Sequence, residues 1–166
     1  MAERVLVTGV LGCLGAWVSH CVLEDGDAVV GFDLGTDRSR LELVLAADAE
    51  RVEVVHGDIS DLAAVESVLD EHEITRVVHL AALQVPSVRA NPPLGMQVNV
   101  AGTVNVFDAV SRRLGRIPNV TYASSAAVYN ADDPSPAPES GGVRPGTLYG
   151  VSKLADEGMA LSLIHI

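Results

Sequence analysis

The feature that most constrains this chain is a glycine turn, Gly9-Val10-Leu11-Gly12-Cys13-Leu14-Gly15, set directly after the apolar run Val5-Leu6-Val7-Thr8 and opening a stretch of helical period. Three glycines at three-residue spacing between a strand and a helix predict a tight strand-turn-helix corner. Gly9 permits the turn, Gly12 lets backbone approach a bound phosphate, and Gly15 allows the helix to pack closely on the strand. The first N–H groups of that helix, at Gly12, Cys13 and Leu14, have no partner within it, and its dipole end is positive, so the corner favours a pyrophosphate. A lone glycine turn can also serve geometry alone, so the rest of the chain must decide.

Downstream, short runs rich in Val, Leu and Ile alternate with stretches of helical period, the pattern of parallel strands joined by crossover helices. Strands are predicted at Arg4 to Thr8, Ala28 to Asp33, Val52 to His56, Arg76 to Leu80 and Asn119 to Ala123. Helices are predicted at Cys13 to Glu24, Arg38 to Ala46, Leu62 to Glu71, Met96 to Leu114 and Leu148 to Leu161. The fold class that follows is α/β, a doubly wound parallel sheet whose strands are buried on both faces. Right-handed crossovers and a switch in strand order then put the binding crevice at the carboxyl ends of the strands. Ala131 to Gly146, with four prolines and three glycines, reads as an irregular loop. With 166 residues, 48% of them hydrophobic, the chain can bury one sizeable core, which favours a single domain.

Charge and cysteine usage exclude several roles. A formal net charge of -11 is the opposite of the basic stripe that a nucleic-acid binder needs. No apolar run reaches the roughly 18 residues of a membrane span, and the start at Met1 to Arg4 lacks the pattern of a signal peptide, so a cytoplasmic protein is expected. Cys13 and Cys21 fall on one predicted helix roughly 12 Å apart, too far to bridge, and are expected as free thiols. The five histidines show no metal-ligand spacing, so no metal site is expected.

The predicted strand ends carry the remaining cofactor residues. Asp33, about 20 residues beyond the turn, can accept hydrogen bonds from ribose hydroxyls and repel a 2'-phosphate, which favours NAD over NADP. Arg38 and Arg40 just downstream could instead accept such a phosphate. Asp58 and Ile59 suit an adenine amino group and its ring, although an acid there could also cap a helix, as could Ser60 or Asp61. Leu80, Ala81 and Ala82 supply the small side chains that a backbone beneath a dinucleotide requires.

A second constellation carries chemistry. Tyr149 and Lys153 are four apart on a predicted helix and share one face, so their polar ends can converge on one atom. A phenol titrates near 10 when free, and a nearby ammonium favours the phenolate, bringing it into range as a general base. Lys153 can also hold ribose hydroxyls. Ser125, at the end of the fifth predicted strand, can hydrogen-bond the same substrate oxygen; Ser124 is the lesser candidate.

With these residues in place the chain resembles the N-terminal part of an extended short-chain dehydrogenase/reductase, in the NAD-dependent epimerase/dehydratase family. The resemblance rests on Thr8-Gly9-x-x-Gly12-x-x-Gly15, Asp33, Gly57-Asp58-Ile59, His79-Leu80-Ala81-Ala82, Asn99-Val100-Ala101-Gly102-Thr103, Ser124-Ser125-Ala126-Ala127-Val128-Tyr129 and Tyr149-Gly150-Val151-Ser152-Lys153. It implies a Rossmann domain over residues 1–160 and Ser125, Tyr149 and Lys153 as the catalytic set. It further implies Asn99 as a support of the framework, reversible hydride transfer on a sugar or nucleotide-sugar hydroxyl, and a homodimer on the helices starting near Met96 and Leu148. A dehydrogenase of a sugar or sugar acid is the alternative chemistry, and a non-catalytic NAD-binding regulator the alternative class. Ala126 and Ala127 offer no acid/base pair for a dehydratase. Two departures stand out: Asn130, where the family has glycine after Val-Tyr, and Gln84 to Pro92, whose Gln84-Val85-Pro86-Ser87-Val88-Arg89 leaves the substrate open. Leu161 to Ile166 lack a polar face or a helix stop, and match a translation of the transposon end used in sequencing libraries. The expectation is therefore a C-terminally truncated chain with a non-native tail at 161–166, no C-terminal substrate domain, and no turnover of its own.

Overall fold

A computed structural model describes residues 2–138 and 142–163. Five strands, β1 (Arg4–Thr8), β2 (Ala28–Asp33), β3 (Glu53–His56), β4 (Arg76–His79) and β5 (Val120–Tyr122), form one sheet in the order β3-β2-β1-β4-β5. Every pairing is parallel, with Thr8 opposite Phe32 on one side and opposite His79 on the other. The order reverses between β1 and β4, which opens a crevice at their carboxyl ends. This is the doubly wound α/β sheet expected from the alternation of apolar runs and helical stretches.

The crossover helices are α1 (Cys13–Glu24), α2 (Ser39–Leu45), α3 (Leu62–Glu71), α4 (Val85–Ala90), α5 (Pro92–Met96), α6 (Thr103–Ser111) and α7 (Leu148–Leu163). Two apolar clusters sandwich the sheet, because central strands of a parallel sheet must bury both faces. One gathers Val5, Val7 and Val29 with Leu41 and Leu45 beneath α1 and α2. The other gathers Leu6, Val30 and Val77 with Val65, Leu69, Val106 and Phe107 beneath α3 and α6. Asp61 caps α3, its Oδ1 accepting from the N–H groups of Ala63 (3.0 Å) and Ala64 (3.3 Å).

The structure corrects the single helix expected over Met96 to Leu114. A short α4 and α5 precede it, residues Gln97–Gly102 form a π-helical turn, and α6 ends at Ser111. Pro86, Pro92 and Pro93 at helix starts explain the extra breaks, since proline suits a first turn and interrupts what precedes it. The second helix also stops at Leu45 and continues as a 3₁₀ turn over Ala46–Arg51. Helix α7 runs two residues past its expected end, and Leu163 packs against the core. The rest of the suspected tail, 164–166, lies outside the described residues. The described parts of the Ala131 to Gly146 loop are irregular, tied by an Arg144 Nη2 to Asp133 Oδ1 contact of 2.7 Å. Asn130 does not use a positive φ; among described residues other than glycine only Ala46 and Glu73 do. Cys13 and Cys21 are exposed free thiols. No described helix is long and apolar enough to cross a membrane.

Candidate active site

The glycine corner is built as its spacing demanded. Gly9 has φ +71°, and a Cβ there would lie 2.8 Å from the backbone nitrogen of Ala81. A Cβ on Gly15 would lie 2.2 Å from the carbonyl oxygen of Gly9, so α1 can approach β1 only without one. Gly12 is the N-cap of α1 and has no side chain to satisfy the first helical N–H groups. Those amides border an open cleft of about 750 Å³, lined among others by Gly9, Gly12, Cys13, Leu14 and Gly15.

Asp33, Asp58, Ile59, Leu80, Ala81 and Ala82 line the same cleft. Asp33 is fixed by backbone: its Oδ2 accepts from Leu11 N–H at 3.0 Å and its Oδ1 from Gly35 N–H at 2.8 Å. Asp58 accepts from Ser60 N–H at 2.8 Å, and the helix cap is Asp61, which leaves Asp58 facing the cleft. Of the two arginines named as phosphate acceptors, Arg40 lines the cleft, while Arg38 donates to the carbonyls of Ala49 (2.9 Å) and Val52 (3.4 Å) and is withdrawn from it. Leu34, Gly35, Thr36 and Asp37, which line it too, were passed over. Their only signal was position, directly after the Asp33 strand end.

Ser125, Tyr149 and Lys153 do not line this cleft; they are gathered beside it. Ser125 opens a 3₁₀ turn over Ala126–Val128, its Oγ accepting from Ala127 N–H at 3.2 Å. Helix α7 seats on that turn at Gly150, where a Cβ would lie 2.1 Å from the carbonyl oxygen of Ala127. Glycine beside Tyr149 is thus what brings the serine turn and the tyrosine helix together. Tyr149 and Lys153 are both buried, 9% and 5% exposed. Ser124 points elsewhere, to Glu157.

Asn99 couples the two halves from inside the π-helical turn, a deviation frequent at functional sites. Its side chain accepts from Leu83 N–H (2.7 Å) and donates to Leu83 C=O (2.9 Å) and Ser152 Oγ (3.2 Å). Leu83 lines the cleft, and Ser152 stands between Tyr149 and Lys153 on α7.

A buried chain of hydrogen bonds underlies this bridge. Thr8 Oγ1 accepts from the N–H groups of Leu80 and Ala81, so its own hydrogen goes to His79 Nδ1 at 2.7 Å. His79 therefore carries its proton on Nε2 and donates it to Thr103 Oγ1 at 3.1 Å, and Thr103 donates to Asn99 C=O at 2.6 Å. Burial, reinforced by the charge of Lys153, pulls His79 from 6.5 down to about 3. It is a neutral strut joining β1, β4 and α6.

Whether these residues fit a dinucleotide can be judged from the structure itself. Glycines hold the backbone of the corner tight against the cleft where Cβ atoms would clash, an uncapped helix end faces it, and a carboxylate fixed by two amides lines it. The donor set fits NAD.

Comparison with known proteins agrees. The family model for GDP-mannose 4,6 dehydratase matches residues 6–165. UDP-glucuronate 4-epimerase 3 of Arabidopsis thaliana is 36% identical over 168 residues, which cover 98% of this chain and 39% of that protein. UDP-glucose 4-epimerase of Mycolicibacterium smegmatis is 35% identical over 157 residues, covering 93% of this chain and 49% of that protein. Among solved structures, the Bordetella bronchiseptica enzyme WbmG in complex with NAD and UDP superposes with a TM-score of 0.82 at 28% identity, over 97% of this chain and 50% of that one. The chain thus spans half or less of the length of these relatives. With the cleft, the glycine corner and the family match in agreement, the chain belongs to the GDP-mannose 4,6 dehydratase family, within the NAD-dependent epimerase/dehydratase group.

Proposed function

We propose that the protein of which this chain forms the dinucleotide-binding domain is an NAD-dependent epimerase acting on a nucleotide-linked sugar. Residues 1–160 hold the cofactor, and substrate is gripped largely by a further C-terminal domain. The observation that carries this reading is the seat of Gly150 on Ala127, which sets the Ser125 turn against the Tyr149 and Lys153 helix at the edge of the cleft. Pyrophosphate would rest on the amides of Cys13 and Leu14, close to the Gly12 backbone whose own N–H bonds Gly9 C=O, with the adenosine ribose on Asp33 and adenine beside Asp58 and Ile59. NAD, when bound, supplies a reversible hydride acceptor. The chain's own residues manage the proton: Tyr149 removes it from the substrate hydroxyl, Ser125 donates a hydrogen bond to the same oxygen, and Lys153 favours the phenolate and holds ribose hydroxyls.

Dehydration, the reaction in the family model's name, is disfavoured because Ala126 and Ala127 occupy the positions beside Ser125 where a further acid and base would stand. The relatives' names support a sugar nucleotide as substrate, and two exposed thiols are in keeping with a cytoplasmic setting. Exposed Leu148 and Val151 on α7 support a homodimer through that helix. The present chain alone is expected to bind NAD weakly and turn nothing over. The test is Tyr149→Phe in the full-length protein. Loss of turnover by about 10²-fold or more with NAD affinity kept supports the reading, and unchanged turnover overturns it. Net NADH release would assign a dehydrogenase instead.

A further inference from the structure

Lys153 is the only lysine in the chain; every other basic side chain is an arginine. Its surroundings hold a feature that the proposed proton chemistry does not use. Lys153 Nζ lies 3.1 Å from Asp156 Oδ2, one turn further along α7, and the side chains are 6% and 1% exposed. Among the described residues this is the only ion pair with both side chains buried. A buried ammonium without a counter-charge would lose its proton or leave the site, so the pairing is a condition of Lys153 staying there charged.

We infer that Asp156 is a positioning residue that anchors the ammonium of Lys153. One of its three hydrogens is spent on the carboxylate, leaving two for the ribose hydroxyls assigned to it above. This rests on the proposed role of Lys153 beside Tyr149, and adds to it the group that orients the lysine.

The groups around the pair are few. Helix α6 presents Thr103, whose hydrogen is committed to Asn99 C=O, and Asp156 Oδ1 is left without a partner. The titratable neighbours are His79 on β4, Tyr122 on β5, and on α7 Tyr149, one turn before Lys153, and Glu157, which bonds Ser124. Burial pushes the Asp156 carboxyl up, and Lys153 pulls it part of the way back. Burial raises the Tyr122 phenol, and the charges of Glu157 and then Asp156 add to it.

A single lysine makes the test direct. The 166-residue chain, carrying 13C at lysine Cε, gives one lysine side-chain signal, titrated from pH 4 to 12 without NAD. The unaltered chain is expected to show an acid-side inflection as Asp156 gains its proton, besides the ammonium's own step. In Asp156→Asn the acid-side inflection disappears, and the ammonium step moves down by at least one pH unit, a tenfold change in acidity, with cooperative thermal unfolding retained. Absence of the acid-side inflection in the unaltered chain overturns the inference even if the variant fails to fold, as does an ammonium step that Asp156→Asn leaves in place. Adding NAD to the unaltered chain then asks a separate question. A lysine signal that ignores saturating NAD sinks the assigned role of Lys153 at the cofactor while leaving its anchoring by Asp156 intact.

Discussion

His79 makes the stability of this fold depend on acid in a calculable way. The ring is buried, accepts from Thr8 and donates to Thr103, and is drawn from 6.5 to about 3, chiefly by burial. In the unfolded chain it takes up a proton near pH 6.5, whereas the folded chain refuses one until about pH 3. The unfolded state therefore binds more protons across that window, and stability is complete above pH 6.5 and falls as pH drops toward 3. At 1.36 kcal/mol per pH unit the full window corresponds to about 5 kcal/mol, and the step from pH 7 to pH 5 to about 2 kcal/mol. Urea unfolding of the unaltered chain and of His79→Gln at pH 7, 6 and 5 isolates this contribution, since both chains share every other titrating group. The variant starts lower at pH 7 by about 1–3 kcal/mol, because Thr8 and Thr103 lose their partner, yet it declines less on acidification by about 2 kcal/mol. Parallel declines for the two chains between pH 7 and pH 5 would refute the neutral, buried histidine.

Two further substitutions probe the cleft. Gly15→Ala puts a Cβ 2.2 Å from backbone that cannot yield, and is expected to cost about 3 kcal/mol or more and to abolish NAD binding. Gly158→Ala, with open space around it on α7, should instead stabilise by about 1 kcal/mol, so similar melting curves for the two variants would contradict the packing argument. Asp33→Asn removes the charge held by the Leu11 and Gly35 amides, while Arg40 remains in the cleft. Calorimetry should show NAD affinity about tenfold weaker, roughly 1.4 kcal/mol, and a smaller preference over NADP. An unchanged ratio of the two affinities would remove Asp33 from the discriminating role.

Much of this architecture was legible because its causes are local. The glycine spacing at 9, 12 and 15 prescribes a turn whose sterics act within a dozen residues, and β1, α1, β2 and α3 begin and end where apolar period and turn residues put them. Four strand ends could be named as a cofactor site, and the fifth as its catalytic neighbour, because strands that are all parallel end on the same side of the sheet. The helix over Met96 to Leu114 was found, but the π turn inside it was missed, for a reason that is not local. The π turn over Gln97–Gly102 holds Asn99 where its side chain meets both backbone groups of Leu83, and helical period in the sequence does not register that demand.

The sequence by itself determined the doubly wound sheet, the glycine corner and the identity of the residues that could do chemistry. Tertiary structure alone decided their surroundings: that Arg38 turns away while Arg40 stays, that Gly150 seats α7 on the Ser125 turn, that His79 is a neutral strut, and that the Lys153–Asp156 pair, neighbours on one helix, is buried. The physical reason is range. Period and turn sterics are read over a few consecutive residues, whereas burial and the pairing of charges depend on which distant segments the folded sheet brings within a few ångströms.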